Sequence, residues 1–242
     1  MTPEAALYMI PVAISDAPAE DFIPRGNVEL AKGIRHFIVE NVRSARRFLR
    51  RCDREFPIDA CTFFELNGHT DPDEISPMLD PLRQGEPMGM MSEAGCPGVA
   101  DPGAAVAAVA QREGMRVVPL AGPSSILMSL MASGFNGQGF AFHGYLPVHD
   151  DEKSRRVREL ENAASRTGMT QIFIETPYRN NRTVALLAST LRPGTMLCVA
   201  SAITDPARES IVSLPAADWR RRDYDYSKIP AIFLIHNASV RS

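Results

Sequence analysis

The sequence concentrates its unusual chemistry in one run, Ser92-Glu93-Ala94-Gly95-Cys96-Pro97-Gly98-Val99-Ala100-Asp101-Pro102-Gly103. Three glycines and two prolines in twelve residues fix an uncommon backbone path, and glycine lets a ligand approach the main chain closely. Asp101 stands where it can cap a following helix. The run reads either as a ligand-holding loop or as a rigid turn capped by Asp101. Gly122-Pro123-Ser124-Ser125 repeats the pattern. Ser124 or Ser125 can cap the next helix, and the free N–H groups there can meet a ligand's polar edge, although capping alone is the simpler account.

Carboxylates and arginines supply acid–base and anion-binding chemistry. Glu40 precedes Arg43, Arg46, Arg47, Arg50, Arg51 and Arg54, all within a short stretch. Arg43, Arg47, Arg50 and Arg54 share one helix face by spacing, which suits either phosphates or a solvated surface. Glu175 ends an apolar strand and Arg179 lies one turn on. Such a carboxylate can bind an amine or hydroxyl, or simply pair with an arginine. No G-x-G-x-x-G, Walker loop or nucleophile elbow is present. His36 and His236 fall within strand patterns and read as structural.

These residues need strands to carry them and helices to space the strands. Apolar runs at Leu7–Val12, His36–Glu40, Cys61–Leu66, Met88–Met91 and Arg116–Pro119 alternate with helical patterns at Arg25–Lys32, Val42–Arg54, Glu74–Arg83 and Gly103–Arg112. That alternation predicts βαβ units and an open parallel sheet. After a helix at Ser124–Ser133, strands are expected at Phe140–Phe142, Gln171–Glu175, Met196–Ser201, Glu209–Leu214 and Ala231–His236, with helices at Asp150–Arg166 and Tyr178–Leu191. The last strands have little helix between them, which predicts a mixed sheet. Pro119-Leu120-Ala121-Gly122-Pro123 is a stiff, non-helical crossing. The fold class expected is therefore α/β in two domains, residues 1–119 and 120–242.

The 242 residues suffice for two such cores. A formal net charge of −3 means that any nucleic-acid contact needs a local basic patch. Only three of the 26 basic residues are lysines, so arginine clusters carry less weight than usual. Cys52, Cys61, Cys96 and Cys198 form no C-x-x-C pair or zinc spacing, so no metal site is expected and the usage suits a cytoplasmic protein. No signal peptide or membrane span is expected.

Together these segments resemble the tetrapyrrole-methylase-like, or class III, methyltransferase superfamily. They look most like its ribosomal RNA small subunit methyltransferase I branch, which methylates a ribose 2′-hydroxyl. Leu7-Tyr8-Met9-Ile10-Pro11 looks like the family's first strand. Ser92–Gly103 is similar to its S-[DE]-A-G-x-P-x-x-x-D-P-G loop, and Val117–Ser125 to its V-V-P-L-x-G-P-[CS] crossing. Phe142-His143-Gly144-Tyr145-Leu146-Pro147 resembles F-x-G-[FY]-L-P, and Phe173–Arg179 resembles F-[YI]-E-[ST]-x-x-R.

The resemblance implies a homodimer of two-domain chains with S-adenosylmethionine folded in the cleft between the domains. By position, Ser92, Ala94, Gly95, Cys96, Val99, Ser124, Ser125, Glu175 and Ala202 would meet this donor. Three stretches depart from the branch. Its first loop, P-I-G-N, is here Ala13-Ile14-Ser15-Asp16. Its A-E-D-T-R is Val39-Glu40-Asn41-Val42-Arg43, and its R-E-L-T-K is Ser201-Ala202-Ile203-Thr204-Asp205.

Methyl transfer from a sulfonium mainly requires the acceptor to be held about 3–3.5 Å from the methyl in a dry site. A ribose hydroxyl also needs help losing its proton. Glu40 or Glu175 is expected to give that help, with Arg43, Arg47 and Arg179 holding substrate. Ribosomal RNA or the small ribosomal subunit is the expected partner. A tetrapyrrole-like or other small-molecule acceptor, or a donor-binding protein without activity, are the alternatives.

Overall fold

The computed structural model describes residues 3–68 and 70–237, and the chain divides into two compact units, Met1–Ser124 and Ser125–Ser242. The expected boundary at residue 119 lies ahead of a segment that belongs to the first unit. Ala121 O accepts from Asn27 Nδ2 at 2.7 Å, and Gly122 lies so close to Pro11 that a Cβ there would sit 2.3 Å from its ring.

The first unit is an all-parallel sheet of β1 (Leu7–Met9), β2 (His36–Val39), β3 (Thr62–Glu65), β4 (Met88–Met91) and β5 (Val117–Pro119), in the order β3-β2-β4-β1-β5. Alternate side chains feed two cores, as the pleat requires. Tyr8, Phe37, Val39 and Met91 pack with α1 (Arg25–Ala31) and α2 (Val42–Cys52). Leu7, Met9, Ile38, Met88 and Met90 pack with α3 (Pro72–Met78), α4 (Asp80–Arg83) and α5 (Gly103–Arg112). Gly89 is the small residue in β4 because Phe37 and Ile10 fill its side-chain space, 2.7–2.8 Å from a Cβ built there. The helix expected at Glu74–Arg83 is two helices: the chain turns at Leu79, between Pro77 and Pro81.

The second unit has a mixed sheet of β6 (Phe140–Tyr145), β7 (Thr170–Ile174), β8 (Met196–Ser201), β9 (Ser210–Pro215) and β10 (Ala231–His236), in the order β6-β7-β10-β8-β9. Only β6 and β7 are parallel. One face packs Phe173, Phe233, Val199 and Leu197 against α7 (Asp150–Thr167), α8 (Asn180–Thr190) and α9 (Ala216–Trp219). The other carries α6 (Ser125–Ser133), tied by Ser213 Oγ donating to Ser133 O at 2.7 Å. On α7 the buried stripe is Lys153, Val157, Leu160, Glu161 and Ala164, a helical spacing that includes two charges.

Candidate functional site

In the first unit the site residues gather at the carboxyl end of the parallel sheet, where open α/β sheets bind ligands. The Ser92–Gly103 loop leaves β4 and is held on three sides. Gly95 and Val12 exchange backbone hydrogen bonds of 2.9 and 3.2 Å, joining it to the loop after β1. Cys96 Sγ donates to Pro123 O at 3.4 Å, joining it to the crossing. Glu40, just beyond β2, accepts from Glu93 N–H at 2.6 Å. Within the loop, Asp101 accepts from Gly98 N–H at 2.8 and 3.0 Å and from Gly103 N–H at 2.7 Å. Asp101 therefore takes up the first N–H of α5, one residue ahead of the cap position at Pro102, and pins the loop at the same time.

Gly95, Gly98 and Ala100 have φ of 75°, 84° and 64°. Ala100 adopts a left-handed conformation that alanine seldom takes, a cost tolerated where the surroundings impose it. The loop leaves the N–H groups of Ala94, Cys96 and Ala100 without a hydrogen-bond partner among the described residues. It also exposes Val99 at 49%. Free donors beside an apolar side chain, on a fixed backbone, suit a ligand with both a polar edge and an apolar face. Ser92 is buried and donates to Ala94 O at 3.3 Å. Burial, with a smaller contribution from Asp101, raises the Cys96 thiol pKa, so it stays protonated near neutrality. Ser124 follows Pro123 at the end of this unit.

Glu40 is half-buried. Burial raises its pKa most and the charges of Asp101 and Glu93 add to that, against the opposing hydrogen bond from Glu93 N–H. Its Oε1 has no partner among the described residues. Asn41 caps α2 by accepting from Ser44 N–H at 2.9 Å. Of the arginines on α2, Arg46 pairs with Asp59 at 3.2 Å and Arg50 donates to Arg54 O at 2.8 Å. Arg51 donates to Ser15 O and Ala17 O at 3.1 and 2.9 Å, holding the altered first loop. Arg43 and Arg47 are exposed and make no ion pair with a described residue.

In the second unit Ser125 opens α6. Glu175 lies just beyond β7 with its side chain 2% exposed. Its oxygens take Lys153 Nζ, Thr183 Oγ1 at 3.2 Å, Thr176 N–H at 2.8 Å and Arg179 Nε at 2.9 Å. Burial alone would raise its pKa, but the hydrogen bonds from Lys153, Thr176 and Arg179 and the charge of Lys153 together lower it. Of the two candidate bases, Glu175 is thus fully engaged and Glu40 retains a free oxygen. Ala202 turns out of β8 with φ 48°, and Thr204 follows at φ 69°. Ala202 N–H donates to Pro230 O, Lys228 N–H to Pro177 O, and Asn180 Nδ2 to Ile229 O at 2.6 Å. One loop thereby ties the Ala202 turn to the segment that carries Arg179.

No protein-family model matches the sequence. The chain is 28% identical to ribosomal RNA small subunit methyltransferase I of Vibrio cholerae, over 95% of this chain and 76% of that one. It is 27% identical to the protein of the same name from Pseudomonas aeruginosa, over 89% of this chain and 74% of that one. Among solved structures, the methyltransferase CobJ superposes with a TM-score of 0.64 at 16% identity, covering 98% of this chain and 96% of its own. Cobalt precorrin-4 methyltransferase CbiF gives 0.61, also at 16% identity, over 96% of this chain and 95% of its own. The chain shares the fold of these two methyltransferases. It is an S-adenosylmethionine-dependent methyltransferase.

The sequence did not single out Lys153 or Thr183 as site residues. Lys153 sits in the acidic run Asp150-Asp151-Glu152, which reads as a solvated face. Its position on the stripe shared with Val157, Leu160 and Ala164 was the available signal, strengthened by the scarcity of lysine. Thr183 gave no such signal, and Arg51 stood in the arginine cluster with nothing to mark its hold on the first loop. Among the described residues no helix is long and apolar enough to cross a membrane.

Proposed function

We propose that the enzyme methylates a ribose 2′-hydroxyl of small-subunit ribosomal RNA, with the donor held on the Ser92–Gly103 loop. The observation that carries the donor assignment is the loop itself: a pinned backbone with free N–H groups at Ala94, Cys96 and Ala100 beside exposed Val99. When bound, S-adenosylmethionine supplies a methyl group already activated by its positively charged sulfur. Ser92, Ala94, Gly95, Cys96, Val99 and Ser124 are the proposed donor contacts in the first unit. Ser125, Ala202 and the main chain of Glu175, whose carboxylate is already engaged, are proposed contacts in the second, on the family resemblance.

The names of the curated relatives support ribosomal RNA as the acceptor. Glu40 removes the hydroxyl proton through its free oxygen, and its raised pKa makes it a better base than an ordinary carboxylate. Arg43 and Arg47 follow it on α2, both unpaired, and bind flanking phosphates. Glu175 is left to position its neighbours. The working form is a cytoplasmic homodimer, as the resemblance implies. Mapping 2′-O-methylation of small-subunit ribosomal RNA from cells with and without the gene tests the acceptor. One modified ribose should vanish on deletion; an unchanged map removes this acceptor.

A further inference from the structure

The second unit buries an ion network that has one outlet to solvent. Glu175 and Lys153 are 2% and 3% exposed at their side chains, and Thr183 hydrogen-bonds to both. Thr176 N–H and Arg179 Nε occupy the other carboxylate oxygen. The carboxylate's acceptor sites are filled, and two cations share one anion. The excess positive charge sits on Arg179, whose side chain is 34% exposed. Only its Nε is engaged; the two terminal nitrogens have no partner among the described residues. A guanidinium anchored at Nε keeps a planar pair of donors for a phosphate. The adjacent Tyr178 is 80% exposed, a large ring without burial.

A buried Lys–Glu pair is seldom better for stability than an apolar pair of similar size, so this one calls for another use. We propose that Arg179 and Tyr178 form a receptor for one nucleotide of single-stranded RNA, phosphate on the guanidinium and base on the ring. Lys153 and Glu175 are positioning residues that fix the arginine. This inference rests on RNA being the acceptor.

The test is fluorescence anisotropy of the full-length protein with a short fluorescein-labelled single-stranded RNA, over a range of salt concentrations. Arg179→Ala should weaken binding about tenfold, and the slope of log affinity against log salt should become shallower by about 0.7, one phosphate contact on a single strand. Arg179→Lys should keep the slope, because the charge remains. Tyr178→Ala should weaken binding at least about fivefold with the slope unchanged, as loss of a stacked base does. The double variant Lys153→Met, Glu175→Gln removes both buried charges together and leaves neither orphaned. It should fold and still bind RNA about threefold more weakly, with a slope between those of the wild type and Arg179→Ala. An Arg179→Ala protein with wild-type affinity and slope overturns the receptor. If the wild-type protein itself fails to bind the RNA, the RNA acceptor reading fails and the receptor falls with it.

Discussion

Replacing Asp101 by alanine tests whether one carboxylate sets the path of the proposed donor loop. Asp101 accepts from Gly98 N–H through both oxygens and from Gly103 N–H through one. Losing the acceptor at a helix start costs about 1 kcal/mol. Losing a charge-assisted bond to a partly buried N–H costs about 1.5–3 kcal/mol. The sum is about 2.5–4 kcal/mol, of which Asp101→Asn, keeping one acceptor oxygen, should retain roughly half. At about 4 °C per kcal/mol for a unit of this size, calorimetry should show Asp101→Ala melting about 10–16 °C below wild type. Gly98 and Ala100, at φ 84° and 64°, have no reason to keep their left-handed path once the anchor is gone. Isothermal titration should then show S-adenosylhomocysteine binding weakened at least about tenfold, or about 1.4 kcal/mol. A variant that melts within about 1 °C of wild type and binds this product equally well would refute the reasoning.

Further outcomes are expected at Glu40, Gly122, Gly26 and Glu175. Glu40→Gln should abolish turnover and leave product affinity nearly intact. Because burial raises the Glu40 pKa and a base must be ionised, the wild-type rate should rise with pH through a limb above the ordinary carboxylate range; a limb at the ordinary value contradicts the role. Gly122→Ala should cost about 1–3 kcal/mol by overpacking, since its Cβ would lie 2.3 and 2.7 Å from atoms of the Pro11 ring. Gly26→Ala, with nothing within 4 Å on exposed α1, should be neutral or slightly stabilising; denaturant melts of the pair check both. Glu175→Gln alone should destabilise by about 3–5 kcal/mol, because Lys153 is left buried without its counter-charge. Since the Glu175 pKa is lowered on folding, its contribution holds above the unfolded value and is lost as pH falls through the folded one. The Glu175→Gln deficit should shrink in acid melts.

Both sheets were legible because their strands are short apolar runs punctuated by glycine and proline. Met88–Met91 and Gly103–Arg112 fall where the periodicity puts them. Leu7–Val12 was read too long: only Leu7–Met9 pairs in the sheet, and past it Val12 bridges to Gly95 instead. Apolar character marks burial, and burial outlasts the strand. The Ser92–Gly103 loop was legible from glycine, proline and aspartate. Which groups close it was not, because Glu40 and Pro123 reach it from distant sequence positions. The Lys153–Glu175 pair was hidden for a similar reason, since a lysine beside three acidic residues looks solvated until the helix face is known. On the arginine face of α2, Arg50 is spent on its own helix end, while Arg43 and Arg47 make no ion pair with a described residue, a difference that spacing alone does not reveal.

The central claim is that the methyl donor sits on the Ser92–Gly103 loop. A crystal structure with S-adenosylhomocysteine tests it most directly. The account predicts ligand density against the main chain of Ala94–Ala100, with hydrogen bonds from the free N–H groups there and contact with Val99. Density at another site, with this loop untouched by ligand, would contradict it.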